Sequence, residues 1–190
     1  MNAKLLFLGA ALAGSTALLA QDSGFSAGLD LAMPLGNTSD LYSFGVGPVV
    51  QYEREAGESG LFGLSVAYTI MFPKEDFISS GAIIPLQAHY KYFFGGDVRE
   101  GLYGGAMFGY GIQTVTTKDI TIGPLTVSGA TESNAGFAIA PVLGYWVTER
   151  IDLGLRYQII LTSSSNDGSI DSQSTSTAFP YVALRGTFAF

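Results

Sequence analysis

From residue 24 to the C-terminus, apolar and polar positions alternate with a period of two, carried by aromatic and β-branched residues and interrupted by polar clusters. No stretch keeps a helical period for three turns, so the chain reads as all-β. The alternation predicts eight strands, at 24–34, 43–53, 61–71, 83–94, 101–115, 135–147, 151–162 and 177–190.

Alternate positions sort the strands into two faces of opposite character. One face carries Phe25, Leu29 and Leu31, then Phe62, Leu64 and Val66, Leu86 and Tyr90, Phe108 and Tyr110, Leu153 and Leu155, and Leu184 and Phe188, with no charge on any strand. The other is dominated by Gly, Ala, Ser and Gln, and it holds every strand charge: Asp30, Glu53, Lys91, Asp152, Arg156 and Arg185, with His89 among them. A soluble sandwich places bulk inside and charge outside. Here the bulky set exceeds what a small barrel can enclose, so it points into lipid and leaves a small, polar and charged interior. An open sheet edge in hydrocarbon leaves backbone groups unsatisfied at several kcal/mol each, so the sheet must close. The expected fold is a closed antiparallel eight-stranded up-and-down transmembrane β-barrel.

The connections give an orientation. Those at 34–43, 72–82, 116–134 and 163–176 are mostly longer than those at 54–60, 95–100 and 148–150, as expected for extracellular loops and periplasmic turns. Alternation at Ile120, Ile122, Leu125 and Val127 predicts a further hairpin rising above the membrane. Reading each strand at its periplasmic end collects Phe25, Tyr52, Phe62, Tyr92, Tyr145 and Phe190 at one level, an aromatic girdle at the membrane interface.

Residues 1–20 run from Lys4 through the apolar stretch Leu5–Ala13 to Gly14, Ser15 and Ala17–Ala20, the order of a secretory signal. The domain plan is therefore a signal peptide at 1–20 and a barrel domain at 21–190. The apolar run falls short of a spanning helix. Mean hydropathy is positive (+0.32) although the net charge is -7, which asks for an apolar surround or a large core. Removing residues 1–20 takes away Lys4 alone and leaves 8 Lys and Arg against 16 Asp and Glu, which argues against a nucleic-acid partner. The absence of cysteine excludes disulfides and thiolate metal sites.

Asp30, Arg156 and Arg185 fall at similar depth on strands that neighbour one another once the barrel closes. With Asp152 they form an expected salt-bridge network, extended by Glu53, Lys91, His89 and the glutamines, because buried charges persist only when paired. Two readings follow: the network fills the lumen, or it lines a narrow water path toward which the interior glycines of the fifth and sixth strands point. His89, the sole histidine, reads as a hydrogen-bonded interior side chain, and Trp146 falls inward near the periplasmic end. No serine elbow, metal-binding histidine pair, nucleotide turn or P-loop is present, so no catalytic residue, metal or cofactor is expected. The oxygen-rich segment Ser163–Ser174 lacks the spacing of a Ca²⁺ loop.

The closing residues Val182, Leu184, Gly186, Phe188 and Phe190 resemble the C-terminal signal of outer-membrane proteins that the barrel-assembly machinery reads. Strands of the form Gly104–Tyr110 and Ile139–Tyr145 are similar to those of the outer-membrane β-barrel domain family, which includes OmpX-like and OmpA-like eight-stranded barrels of Gram-negative bacteria. The resemblance spans residues 22–190. It implies outer-membrane location, contact with outer-membrane lipid and assembly by that machinery. The family's roles include structural barrels, adhesins and narrow channels, so three functions stand side by side: a structural or surface-interaction barrel whose loops hold an extracellular ligand, a porin-like channel for small solutes, and a soluble lipocalin-like carrier. Lipid A deacylases share the architecture but use a lipid-facing His and Ser, whereas His89 faces inward. A folded barrel migrates apart from the boiled chain in mild SDS and fractionates with the outer membrane; a chain that shows neither is not this fold.

Overall fold

The protein is described by a computed structural model covering residues 24–122, 125–164 and 175–190. The expected signal segment 1–20 and the core of the 163–176 connection lie outside the described residues. The elements are β1 (Phe25–Pro34), a short helix α1 (Thr38–Leu41), β2 (Tyr42–Glu55), β3 (Gly60–Ala67), β4 (Thr69–Pro73), β5 (Ile78–Phe93), β6 (Gly101–Thr117), β7 (Ile120–Ile122), β8 (Leu125–Val127), β9 (Thr131–Thr148), β10 (Ile151–Ser164) and β11 (Thr175–Ala189).

Strand β1 pairs with β11 on one side and with β2 on the other, and every pairing around the ring is antiparallel. The sheet is therefore closed, with β3 and β4 together making one of eight crossings. Their interruption at Tyr68 has a covalent cause. Tyr68 N donates to Pro48 O at 3.0 Å, but proline has no N–H to return, so the ladder loses a bond there. Partners followed once around the ring run Phe25, Tyr52, Leu64, Ala88, Phe108, Ile139, Ile159 and Pro180. Pro180 O then accepts from Leu35 N just past β1, ten residues on from Phe25. That stagger tilts the strands and sets the barrel's width. Above the long-loop rim, β7 and β8 pair as the predicted hairpin, Ile120 opposite Val127.

The two faces fall as the alternation requires. Leu29, Leu86, Phe108, Tyr110, Leu153 and Leu184 are exposed on the outside, while Asp30, Gln51, Glu53, His89, Asp152 and Arg156 are buried inside. A lipocalin-like carrier needs the reverse arrangement.

The interior corrects the expectation of a uniformly small and polar lumen. Near the short turns, Leu61, Phe93, Tyr103, Trp146 and Ala189 form one apolar cluster. Toward the long loops, Tyr42, Met71, Ile83, Ile160, Phe179 and Tyr181 form another. Several inward glycines lie under neighbouring side chains. A Cβ on Gly81 would come within 2.6 Å of the Tyr42 ring, and one on Gly111 within 2.7 Å of Ile160.

An arginine on the outer face tests the assignment of lipid and lumen. Leu86→Arg, in the middle of β5, is expected to destabilise the bilayer-inserted barrel by about 2–4 kcal/mol, the cost of a cation near the midplane. Denaturant unfolding in lipid vesicles measures it, and an unchanged midpoint would contradict a lipid-facing Leu86.

Candidate functional site

Between the two apolar clusters lies a layer of charge built by register. Asp30 and Arg185 are direct partners across the β1–β11 seam. Arg185 grips the carboxylate with the two donors of one guanidinium edge, Nε to Oδ1 at 2.7 Å and Nη2 to Oδ2 at 2.8 Å, a fork geometry that only arginine offers. Arg156 Nη2 donates to the same Oδ2 from β10. Glutamines take further donors: Arg185 Nη1 reaches Gln51 at 3.0 Å, and Arg156 Nη1 reaches Gln158 at 3.3 Å and Gln87 at 3.4 Å.

A second group lies toward the short turns. Lys91 Nζ sits 2.7 Å from both Glu53 Oε1 and Asp152 Oδ2, and His89 Nε2 is 2.9 Å from Glu53 Oε1. Glu53 and His89 are on strands separated by β3, and the residue between them in register is Gly63. A Cβ on Gly63 would stand 2.6 Å from His89 Nε2, so glycine is what lets the pair meet. The same device admits Tyr103, whose hydroxyl donates to Asp152 Oδ1 at 2.8 Å. It lies over Gly144 and Gly154, its successive partners across β9 and β10.

All seven charged and histidine positions singled out from the sequence therefore point into the lumen, but in two groups. Asp152 pairs with Lys91 across the barrel and not with the arginines. Tyr103 was not singled out, although it shares the inward register of Gly105. Asp30, Glu53 and Asp152 face Lys91, Arg156 and Arg185, so three carboxylates balance three cations while His89 is neutral. Trp146 closes the layer from below, with Lys91 Nζ 5.7 Å from its ring centroid and Arg99 Cζ 5.8 Å from it. Above, the Tyr181 ring lies 5.7 Å from Arg156. A small cavity of about 10 Å³ lies among Gln51, His89, Lys91, Tyr103, Met107 and Arg156, about the room one water needs. No group of His and acidic side chains suited to a metal ion occurs among the described residues.

On the outer face, Phe25, Tyr52, Phe62, Tyr92, Tyr145 and Phe190 all lie near the short-turn rim. Phe25 and Tyr52 pack with ring centroids 4.8 Å apart. Leu184, Gly186 and Phe188 share the lipid side of β11, with Phe190 just past its end, and Phe190 N donates to Phe25 O at 3.0 Å across the seam.

A closed eight-stranded ring with an uncharged apolar belt and a paired polar lumen defines an integral membrane barrel of the outer-membrane type. Solved structures share that fold. The N-terminal β-barrel domain of Pseudomonas aeruginosa OprF superimposes with a TM-score of 0.57 at 15% identity, over 89% of this chain and 100% of that one. Ail, the attachment invasion locus protein of Yersinia pestis, gives 0.56 at 14% identity over 88% of this chain and 96% of its own. Neisserial surface protein A gives 0.54 at 14% over 88% and 98%. No protein-family model and no curated protein matches the sequence.

Removing one member of the upper group strands two buried cations. Asp30→Ala is expected to lower the barrel's unfolding free energy by about 3–5 kcal/mol, read from the urea midpoint of the refolded protein in detergent. A loss under about 1 kcal/mol would mean that the arginines are not held by Asp30.

Proposed function

We propose that the protein is an integral outer-membrane barrel with a structural or surface-interaction role, and that its lumen is filled and non-conducting. One observation carries this reading: the charged layer, itself internally paired, lies between two apolar clusters. A conducting path needs continuous polar or hydrated lining, which Leu61, Phe93 and Trp146 interrupt at one end and Tyr42, Ile83, Ile160 and Phe179 at the other. The porin-like alternative loses part of its support, since Gly111 and Gly144 lie under the side chains of Ile160 and Tyr103.

The same reading assigns the outer residues. Phe25, Tyr52, Phe62, Tyr92, Tyr145 and Phe190 sit at the headgroup level of the periplasmic leaflet, and Leu184, Gly186, Phe188 and Phe190 present the terminal strand to the barrel-assembly machinery. Whatever the protein contacts outside the cell is met by the long loops. These carry Asp40, Glu75, Asp76, Asp119, Glu132, Asp167 and Asp171 against Lys74 and Lys118 alone. Ail has been solved with the heparin analogue sucrose octasulfate. The acidic excess here repels such a polyanion and favours neutral or cationic ligands.

Planar-bilayer recording of the refolded protein tests the closed lumen. The wild type is expected to show no sustained conductance. Removing one cluster by Phe93→Ala with Trp146→Ala leaves the barrel closed, because the second cluster remains. Adding Phe179→Ala and Tyr181→Ala opens steps. A stable open pore in the wild type would overturn the reading.

A further inference from the structure

At three places in the wall the strand register runs on while the pairing lapses for two positions, and each lapse contains a proline. Between the pairs Val49 with Ala67 and Val46 with Ile70, Pro48 and Gly47 stand opposite Tyr68 and Thr69. Between Val66 with Leu86 and Thr69 with Ile83, Pro85 and Ile84 stand opposite Ala67 and Tyr68. Between Arg156 with Val142 and Ile159 with Ile139, Pro141 and Ala140 stand opposite Tyr157 and Gln158. A proline in a strand with neighbours on both sides offers no N–H to the carbonyl across from it, and hydrocarbon supplies no water in exchange.

The other ladders run unbroken through the wall. β11 pairs with β10 from Ile151 to Ser164 and with β1 from Ser26 to Pro34, and β1 pairs with β2 from Phe25 to Ala32. β6 pairs with β5 from Ser80 to Phe93 and with β9 from Thr131 to Trp146. The wall thus divides into one block of β10, β11, β1 and β2 and another of β5, β6 and β9, with β3 and β4 as a panel interrupted on both flanks. The three breaks share one depth: Gly47 is the partner of Asp30, Val142 is the partner of Arg156, and Gln87 reaches Arg156.

The two charged groups relate differently to this division. Asp30, Arg185, Arg156, Gln51 and Gln158 all belong to the first block, and of the upper group's contacts only the 3.4 Å one to Gln87 leaves it. The contacts of the lower group all cross between blocks. Lys91 on β5 lies 2.7 Å from Glu53 on β2 and 2.7 Å from Asp152 on β10. His89 on β5 also meets Glu53, and Tyr103 on β6 meets Asp152. β2 and β10 are the two edge strands of the first block, so one buried ammonium from the second block holds both of those edges.

We propose that the wall is a two-block device hinged at the proline breaks, and that Lys91 is the strap that keeps the blocks together. Releasing the strap lets the wall give at the breaks while each block stays intact. The inference concerns the wall alone and holds whether or not the lumen conducts.

Backbone amide exchange of the whole refolded protein in lipid nanodiscs tests it. Lys91→Met alone would strand two buried carboxylates, so the strap is removed together with its partners, as Lys91→Met, Glu53→Gln and Asp152→Asn. Exchange at residues 66–69 and 157–159 is expected to speed up by roughly tenfold or more, the factor that one charge-assisted hydrogen bond is worth. Residues 29–31 and 184–186, at the same depth but inside the first block, are expected to keep their wild-type rates. A rise of equal size at all four stretches would show one cooperative body, and no rise at the breaks would show that Lys91 is not a strap; either result overturns the proposal. The hinge is tested separately by Pro141→Val in the otherwise unchanged chain, which returns the missing N–H. It is expected to slow exchange at 157–159 several-fold and to leave 66–69 as it was. Unchanged exchange at 157–159 would overturn the hinge even if the strap-free chain failed to insert.

Discussion

Backbone amides in hydrocarbon have no water to fall back on, and the architecture of this protein follows from satisfying them. Each strand must find a partner on both sides, which only a ring provides. Once the ring is closed at eight crossings with a stagger of ten residues, its bore is fixed, and with it the volume the inward side chains must fill. The break opposite Pro48 is instructive. It removes one donor from the β2 ladder, and the chain responds by breaking one crossing into β3 and β4 without losing the closure.

A bore of fixed width makes the lumen a packing problem in which glycine is the complement of bulk. Gly63 admits the Glu53–His89 pair, Gly144 and Gly154 admit Tyr103, and Gly81 admits Tyr42. Long polar side chains then reach across the barrel to partners that are not sequence or strand neighbours. The electrostatic side follows the same economy. Each buried charge meets an opposite one, and amide side chains take up arginine donors that carboxylates leave free, which is the condition under which charges persist away from water.

The outward face was legible in the sequence because a period-two pattern assigns every second residue to one side, and a lipid-facing side tolerates no charge. Leu86, Phe108 and Leu153 could be placed from that alone, and so could the inward direction of Asp30, Arg156 and Arg185. Partnership across the lumen was not legible. That Lys91 on β5 meets Asp152 on β10 depends on the stagger accumulated over several strands, which no local pattern encodes. The apolar clusters were hidden for a related reason. Tyr42 and Phe93 stand at strand ends, and Ile83 lies beside Ile84, so hydrophobic side chains on both faces blur the alternation that identifies the inner one.

The pairing of Asp30 with Arg185 sits on the seam between the first and last strands. Those two strands are the farthest apart in sequence and come together only when the ring is complete. Until then Asp30 lacks Arg185, and both the carboxylate and the guanidinium lie on unclosed edges. Joining the backbone edges and neutralising that carboxylate are thus one event, so a partly inserted sheet is penalised twice, by open amides and by unanswered charge. The seam works as a completeness check: the chain gains its ion pair only by becoming a barrel, and parting the first strand from the last gives up both at the same place.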